Sequence, residues 1–164
     1  MKKLLLVVLV MVMASATAFS QDIYFGIGGA AGTKSGINDQ LEAKVNFGAH
    51  ARAFIDFSEN LGFVGGLTYF MPTKVTILSN EVKMNYMQLN ADVLYYLQND
   101  EDVQVYGIGG MNYGMAKVTT AGIEATANAF NWEAGAGAKM GKVFIEAKYD
   151  SGEKQIIALI GIYF

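Results

Sequence analysis

Residues 43–57 read Ala-Lys-Val-Asn-Phe-Gly-Ala-His-Ala-Arg-Ala-Phe-Ile-Asp-Phe, and their alternation decides the fold. Ala43, Val45, Phe47, Ala49, Ala51, Ala53, Ile55 and Phe57 share one parity, while Lys44, Asn46, Gly48, His50, Arg52, Phe54 and Asp56 share the other. Successive side chains of an extended chain point to opposite faces, so this segment is a strand with one wholly apolar face. A helix would spread Lys44, Arg52 and Asp56 around its circumference.

Working outward, the same period of two predicts strands at 23–30, 61–71, 85–97, 103–118, 128–140, 143–150 and 155–164, eight in all with the first. Short connections at 58–60, 98–102 and 141–142 alternate with longer ones at 31–42, 72–82 and 119–127, and a tight turn at 151–154 completes the second set. Tight turns on one rim and longer loops on the other are the build of a transmembrane barrel. The predicted fold class is therefore all-β, an eight-stranded antiparallel up-and-down transmembrane β-barrel. The fifth strand leaves its register open: Val105, Met111 and Tyr113 share one parity and Tyr106 and Ile108 the other, and a bulge at Gly109-Gly110 would switch the phase.

Charge within the strands sorts to one face. Lys44, Arg52, Asp56, Asp92, Glu133, Lys139, Glu146, Lys148 and Asp150 fall together, and only Lys117, near a loop rim, falls on the other side. A lysine or arginine at mid-bilayer on the lipid face costs about 2–4 kcal/mol, so a lipid-facing wall excludes them. Aromatic residues on the apolar face sort by height. Tyr69, Tyr113, Phe130, Trp132 and Tyr149 lie toward the loop rim, and Phe57, Phe63, Tyr95 and Phe164 toward the turn rim, giving two expected membrane girdles.

The 164 residues suit one domain. Lys2 and Lys3, the apolar run Leu4 to Met13 and the small residues from Ala14 to Ser20 read as a secretory signal. Residues 1–20 are expected to be removed, after Ser20 or alternatively after Ala18, leaving 21–164 as the barrel domain. The run is shorter than the roughly 20 residues a retained helical anchor needs. Net charge is −3, with no basic cluster for nucleic acid. Cysteine is absent, so neither disulfides nor thiolate metal sites hold the fold.

The chain ends Ile160-Gly161-Ile162-Tyr163-Phe164, with a terminal aromatic and apolar residues at alternate positions before it. This resembles the C-terminal strand by which the barrel-assembly machinery recognises its clients. With the signal and the segments Tyr24-Phe25-Gly26-Ile27-Gly28-Gly29 and Tyr106-Gly107-Ile108-Gly109-Gly110, the chain resembles the small outer-membrane β-barrel family often labelled porin-like. The resemblance implies a bacterial outer-membrane location and a monomer surrounded by outer-membrane lipid and lipopolysaccharide. It also implies the assembly machinery as a partner in biogenesis, with Phe164 in the assembly signal. Members of such families include structural tethers, adhesins, narrow channels and a few lipid-modifying enzymes.

The inward charges His50, Arg52, Asp92, Glu133, Lys139, Glu146 and Lys148 form the one constellation that could carry chemistry, and Arg52 has Asp92, Glu133 and Glu146 as candidate partners. One reading is a lumen filled by a paired network, in a protein with a structural or surface-interaction role. The alternative is a narrow channel for ions or small solutes. A soluble lipocalin-like carrier would need the inverse pattern, an apolar lumen and polar exterior. No catalytic residue is expected, because His50, the only histidine, sits mid-strand while Ser35, Ser79 and Ser151 lie in loops, out of its reach. One histidine and no cysteine leave no metal cluster. Gly26-x-Gly28-x-x-Ala31 partly matches a dinucleotide fingerprint, but residues 33–39 are turn-rich where that motif needs a helix, so no cofactor is expected.

Overall fold

The computed structural model describes residues 23–33, 45–77, 80–100, 102–120 and 123–164. The proposed signal and both candidate cleavage sites lie outside them, as do Lys44 and most of the first loop. Eight strands follow in order: β1 (Ile23–Gly32), β2 (Asn46–Ser58), β3 (Leu61–Ile77), β4 (Asn80–Asn99), β5 (Val103–Thr120), β6 (Ile123–Met140), β7 (Val143–Asp150) and β8 (Gln155–Tyr163). Each pairs antiparallel with its neighbours, and β1 pairs with β8 from Gly26↔Tyr163 to Gly32↔Ile157, closing the barrel. Closure leaves no unpaired edge within the ring.

Alternation sets the faces as the sequence pattern predicts. In β7 the burial alternates at every residue, with Phe144, Glu146, Lys148 and Asp150 inside and Val143, Ile145, Ala147 and Tyr149 outside. On β2, His50, Arg52 and Phe54 are buried, while Phe47 and Phe57 are more than half exposed. An apolar wall facing out with charges facing in is the inverse of a soluble protein.

Two expectations are corrected. Residues 72–82 and 119–127, expected as loops, are mostly ladder, so β3 to β6 run 17–20 residues where β1, β7 and β8 have 8–10. About 9–11 residues cross a bilayer, so two hairpins, paired from Val82↔Thr120 downward, rise above the rim as one four-stranded sheet. There both faces meet water and the apolar–polar contrast fades, although Thr, Val and Ile still favour the ladder. The second correction concerns Gly109-Gly110. The β5–β6 register runs unbroken from Val103↔Met140 to Thr120↔Ile123, without a bulge. Tyr106 and Ile108 face inward with Asn112, because the interior is apolar near the turn rim and accepts them.

The bulges lie elsewhere. One falls between Phe70 and Thr73, where β3 rises past β2, and it holds Pro72, the only proline. A bulge tolerates the missing N–H donor. Others sit beside tight turns, between Asp56 and Ser58 and between Tyr96 and Gln98. The Gly141-Lys142 turn has Gly141 at φ 57°, a left-handed conformation that costs other residues about 1–2 kcal/mol. Gly141→Val should therefore lower stability by about that amount. Gly109→Ala should be neutral or slightly stabilising, because an added Cβ there meets nothing within 4 Å. Urea unfolding of the two refolded variants checks both outcomes.

Candidate functional site

The interior is layered. Near the turn rim Tyr24, Phe54, Tyr163 and Phe144 pack in sequence at tilted angles, with ring centroids 6.0, 5.5 and 5.0 Å apart. Tyr96 and Tyr106 pack edge to face beside them, and the Tyr96 hydroxyl donates to Asp56 Oδ1 at 2.7 Å. Val64, Leu94 and Ile108 join the same buried cluster. The lumen is thus not polar throughout, and inward apolar residues such as Tyr106 and Ile108 blur the alternation along their strand.

Above this layer lies the charged centre. The Arg52 guanidinium donates to both oxygens of Glu146, at 2.6 and 2.7 Å, and lies 3.9 Å over the Phe144 ring. A two-pronged, charge-assisted contact of this kind fixes geometry as well as contributing energy. Arg52 also donates to the Tyr163 hydroxyl at 3.1 Å and, through Nε, to His50 Nε2 at 2.9 Å. With Nε2 accepting, the His50 proton sits on Nδ1, which donates to Thr68 Oγ1 at 2.8 Å. The Thr68 hydroxyl passes the chain to Asn90 Oδ1. Tyr106 completes Glu146 by donating at 2.9 Å.

A second ion centre belongs to Lys148, whose ammonium donates to Asp92 at 2.8 Å and Glu133 at 2.9 Å. Asn90 and Asn112 also donate to Glu133. Asn112 continues to Asp150, which further accepts from Gln88 and from the Gly152 N–H. Asp92 fits because Gly110 opposes it; a Cβ there would overlap its carboxylate. These polar side chains come from β2 to β8 and form one connected network.

Of the seven inward residues singled out from the sequence, the structure joins His50, Arg52, Asp92, Glu133, Glu146 and Lys148. Lys139 stands apart, with its Nζ 5.2–5.6 Å from the ring centroids of Tyr24, Phe54 and Tyr163. Among the three candidate partners of Arg52, the structure selects Glu146. Sequence reasoning missed Thr68, Gln88, Asn90, Tyr106, Asn112 and Tyr163 as members, and it placed Asp150 on the charged face without joining it to the network. Parity would have found Asn112 and Tyr106 had the fifth strand's phase been settled. On the outer wall Phe57, Tyr69, Tyr95, Phe130, Trp132, Tyr149 and Phe164 are exposed, and Phe63 and Tyr113 are half-buried. Ring pairs Tyr113–Phe130 and Trp132–Tyr149 sit toward the loop rim, and Phe57–Phe63 toward the turns. Lys117, the outward strand charge singled out from the sequence, pairs with Glu124 of β6 at 2.8 Å.

A family model described as the outer membrane protein beta-barrel domain matches residues 4–152. The chain belongs to this family. It is accordingly an integral protein of the bacterial outer membrane, and its apolar wall faces lipid. No curated protein sequence matches it significantly. Among solved structures it resembles Ail, the attachment invasion locus protein of Yersinia pestis, crystallised with the heparin analogue sucrose octasulfate. Identity there is 17% and TM-score 0.58, over 87% of this chain and 95% of that one. Neisserial surface protein A matches at 14% identity and TM-score 0.60, over 86% and 94% of the two chains. The N-terminal barrel domain of Pseudomonas aeruginosa OprF matches at 11% and 0.57, over 88% and 98%. At these identities the likeness is one of fold.

Removing one partner of a buried ion pair strands the other, which costs about 3–5 kcal/mol. Arg52→Ala should destabilise the barrel by that amount. Combining it with Glu146→Ala should cost less than the two single changes added, because neither charge is then left unpaired. Lys117→Ala breaks only an exposed pair and should cost under about 1 kcal/mol. Urea unfolding in lipid vesicles measures all four variants.

Proposed function

We propose that the protein is a sealed outer-membrane barrel with a structural and surface-interaction role, and not a pore. The observation that carries this reading is the buried Arg52–Glu146 pair seated on Phe144 directly above the aromatic layer. An eight-stranded barrel is just wide enough for side chains to fill it. An ion crossing here has to displace a two-pronged salt bridge and then pass a closely packed layer of rings. What remains for action at a distance from the membrane is the projecting sheet of β3 to β6, supported from below by the network. The same reading makes catalysis no part of the role. His50 is 3% exposed, and both its ring nitrogens are engaged within the network.

In this proposal residues 1–20 direct export and are removed, the mature barrel is a monomer in lipid and lipopolysaccharide, and the exposed rings form two girdles at the headgroup levels. Planar-bilayer recording tests the sealed lumen: the unmutated barrel should give no steady current. A steady, ion-selective current would establish the narrow channel instead. Phe164 lies at the turn rim, its N–H donating to the Phe25 carbonyl at 2.9 Å, and its side chain is exposed. As part of an assembly signal it is needed by the machinery more than by the finished barrel. Deleting it should leave more unfolded precursor in the periplasm at small cost to the stability of the barrels that form. Unchanged assembly kinetics in cells would place the signal elsewhere.

A further inference from the structure

The charged network holds more acids than bases. Arg52 and Lys148 share it with the carboxyl groups of Glu146, Asp92, Glu133 and Asp150, and all of these side chains are buried. His50 adds no positive charge, because its Nε2 accepts the Arg52 Nε proton. If every acid were ionised, two negative charges would stand without a cation in a lumen where an unpaired charge is costly.

Hydrogen bonding sorts the four acids. Glu146 accepts from both prongs of Arg52 and from Tyr106. Glu133 Oε1 accepts from Lys148 and Asn90, and its Oε2 from Asn90 and Asn112. Asp150 Oδ1 accepts from Asn112 and the Gly152 N–H, and its Oδ2 from Gln88. Asp92 differs from all three. Its Oδ2 accepts from Lys148, but its buried Oδ1 meets no donor among the described residues and fills the space that a Cβ on Gly110 would need. Asp92 and Glu133 are also in side-chain hydrogen-bond contact with each other. Ionised carboxylates only accept, so this contact requires a proton on one of the two. Glu133 is surrounded by donors and suits the charge; Asp92 suits the proton.

We propose that Asp92 is a proton-binding site: the folded barrel holds one proton on its carboxyl, donated in a hydrogen bond to Glu133, and takes that proton from solvent as it folds. Arg52–Glu146 and Lys148–Glu133 are then matched pairs, and Asp150 keeps its three donors. The charged groups around the site are Glu133 on β6, Lys148, Glu146 and Asp150 on β7, and Arg52 on β2, with His50 uncharged beside it. Strands β3 and β5 bring only neutral groups, Val64, Thr68, Gly110 and Asn112. In the unfolded chain an aspartate has released its proton above about pH 4. The stability that the bound proton contributes is therefore complete below that pH and declines as the pH rises, because the folded state binds more protons than the unfolded one.

Infrared spectroscopy of the folded barrel in lipid vesicles at pH 6, about two units above the ordinary range of free Asp and Glu, reads the proton directly. The unmutated barrel should show the C=O stretch of a protonated carboxyl, with the intensity of one group per barrel. Asp92→Asn, which keeps the shape and a donor toward Glu133, should lose that band. Urea unfolding between pH 5 and pH 6 gives the second reading. The unfolding constant of the unmutated barrel should rise about tenfold over that pH unit relative to Asp92→Asn, one proton's worth of linkage, with the contribution of His50 common to both. No such band in the unmutated barrel, a measurement that needs no variant to fold, would overturn the site. So would parallel pH profiles of the two barrels. A band undiminished in Asp92→Asn would place the proton on another carboxyl and equally overturn the assignment.

Discussion

The interior depends on one constraint: Arg52 and Glu146, facing each other across the lumen from β2 and β7, are both taken fully out of water. Neither charge is tolerable alone in that setting, so each fixes the other, and each recruits neighbours to fill its remaining hydrogen-bond capacity. Tyr106 and Tyr163 do this for the pair from the turn side, and His50 does it from the loop side. Through His50 and Thr68 the arrangement reaches Asn90, which also holds Glu133 and hence the Lys148 centre. Register on several strands is locked by this one chain of contacts, because a slip of one residue would turn Arg52 or Glu146 outward into lipid.

The lipid makes the same demand from outside. A wall that excludes charge leaves the lumen as the only place within the membrane for ionisable side chains, and a narrow lumen forces them together. Sealing and charge pairing thus share one cause. The aromatic layer around Phe54, Phe144 and Tyr163 finishes the filling where the charges stop, and its rings also give Arg52 a face to lie on.

The barrel was legible in the sequence because the bilayer imposes the sharpest contrast a strand can carry. Residues 43–57 and 143–150 show it plainly, with charges on one parity and apolar side chains on the other. Legibility ended where that contrast ended. Above the rim Thr73, Thr119 and Thr126 carry no sidedness, so strands there read as loops. Inside the lumen Tyr106 and Ile108 are apolar for packing reasons, and their parity simulated a change of phase. The membership of Arg52, Glu146 and Lys148 in the interior followed from parity, but which carboxylate meets which cation depends on how far neighbouring strands are staggered. No single strand records that stagger. Thr68 was invisible for a related reason: a short polar residue on an inward face signals nothing until a partner stands opposite.

Strand β1 differs from the others. Above Tyr24 its inward positions are Gly26, Gly28, Ala30 and Gly32, none of which has a side chain able to enter the ion network. Its union with β8 is therefore a main-chain seam with the Tyr163 ring lying over Gly26, and the charged groups of the two ion centres lie on β2, β4, β6 and β7. The strands that own the charges can settle their electrostatics as a curved open sheet, and the circle can be completed afterwards by a nearly featureless strand. A cylinder that must be built in one membrane plane thus has a place to shut last that asks no buried charge to find its partner in transit.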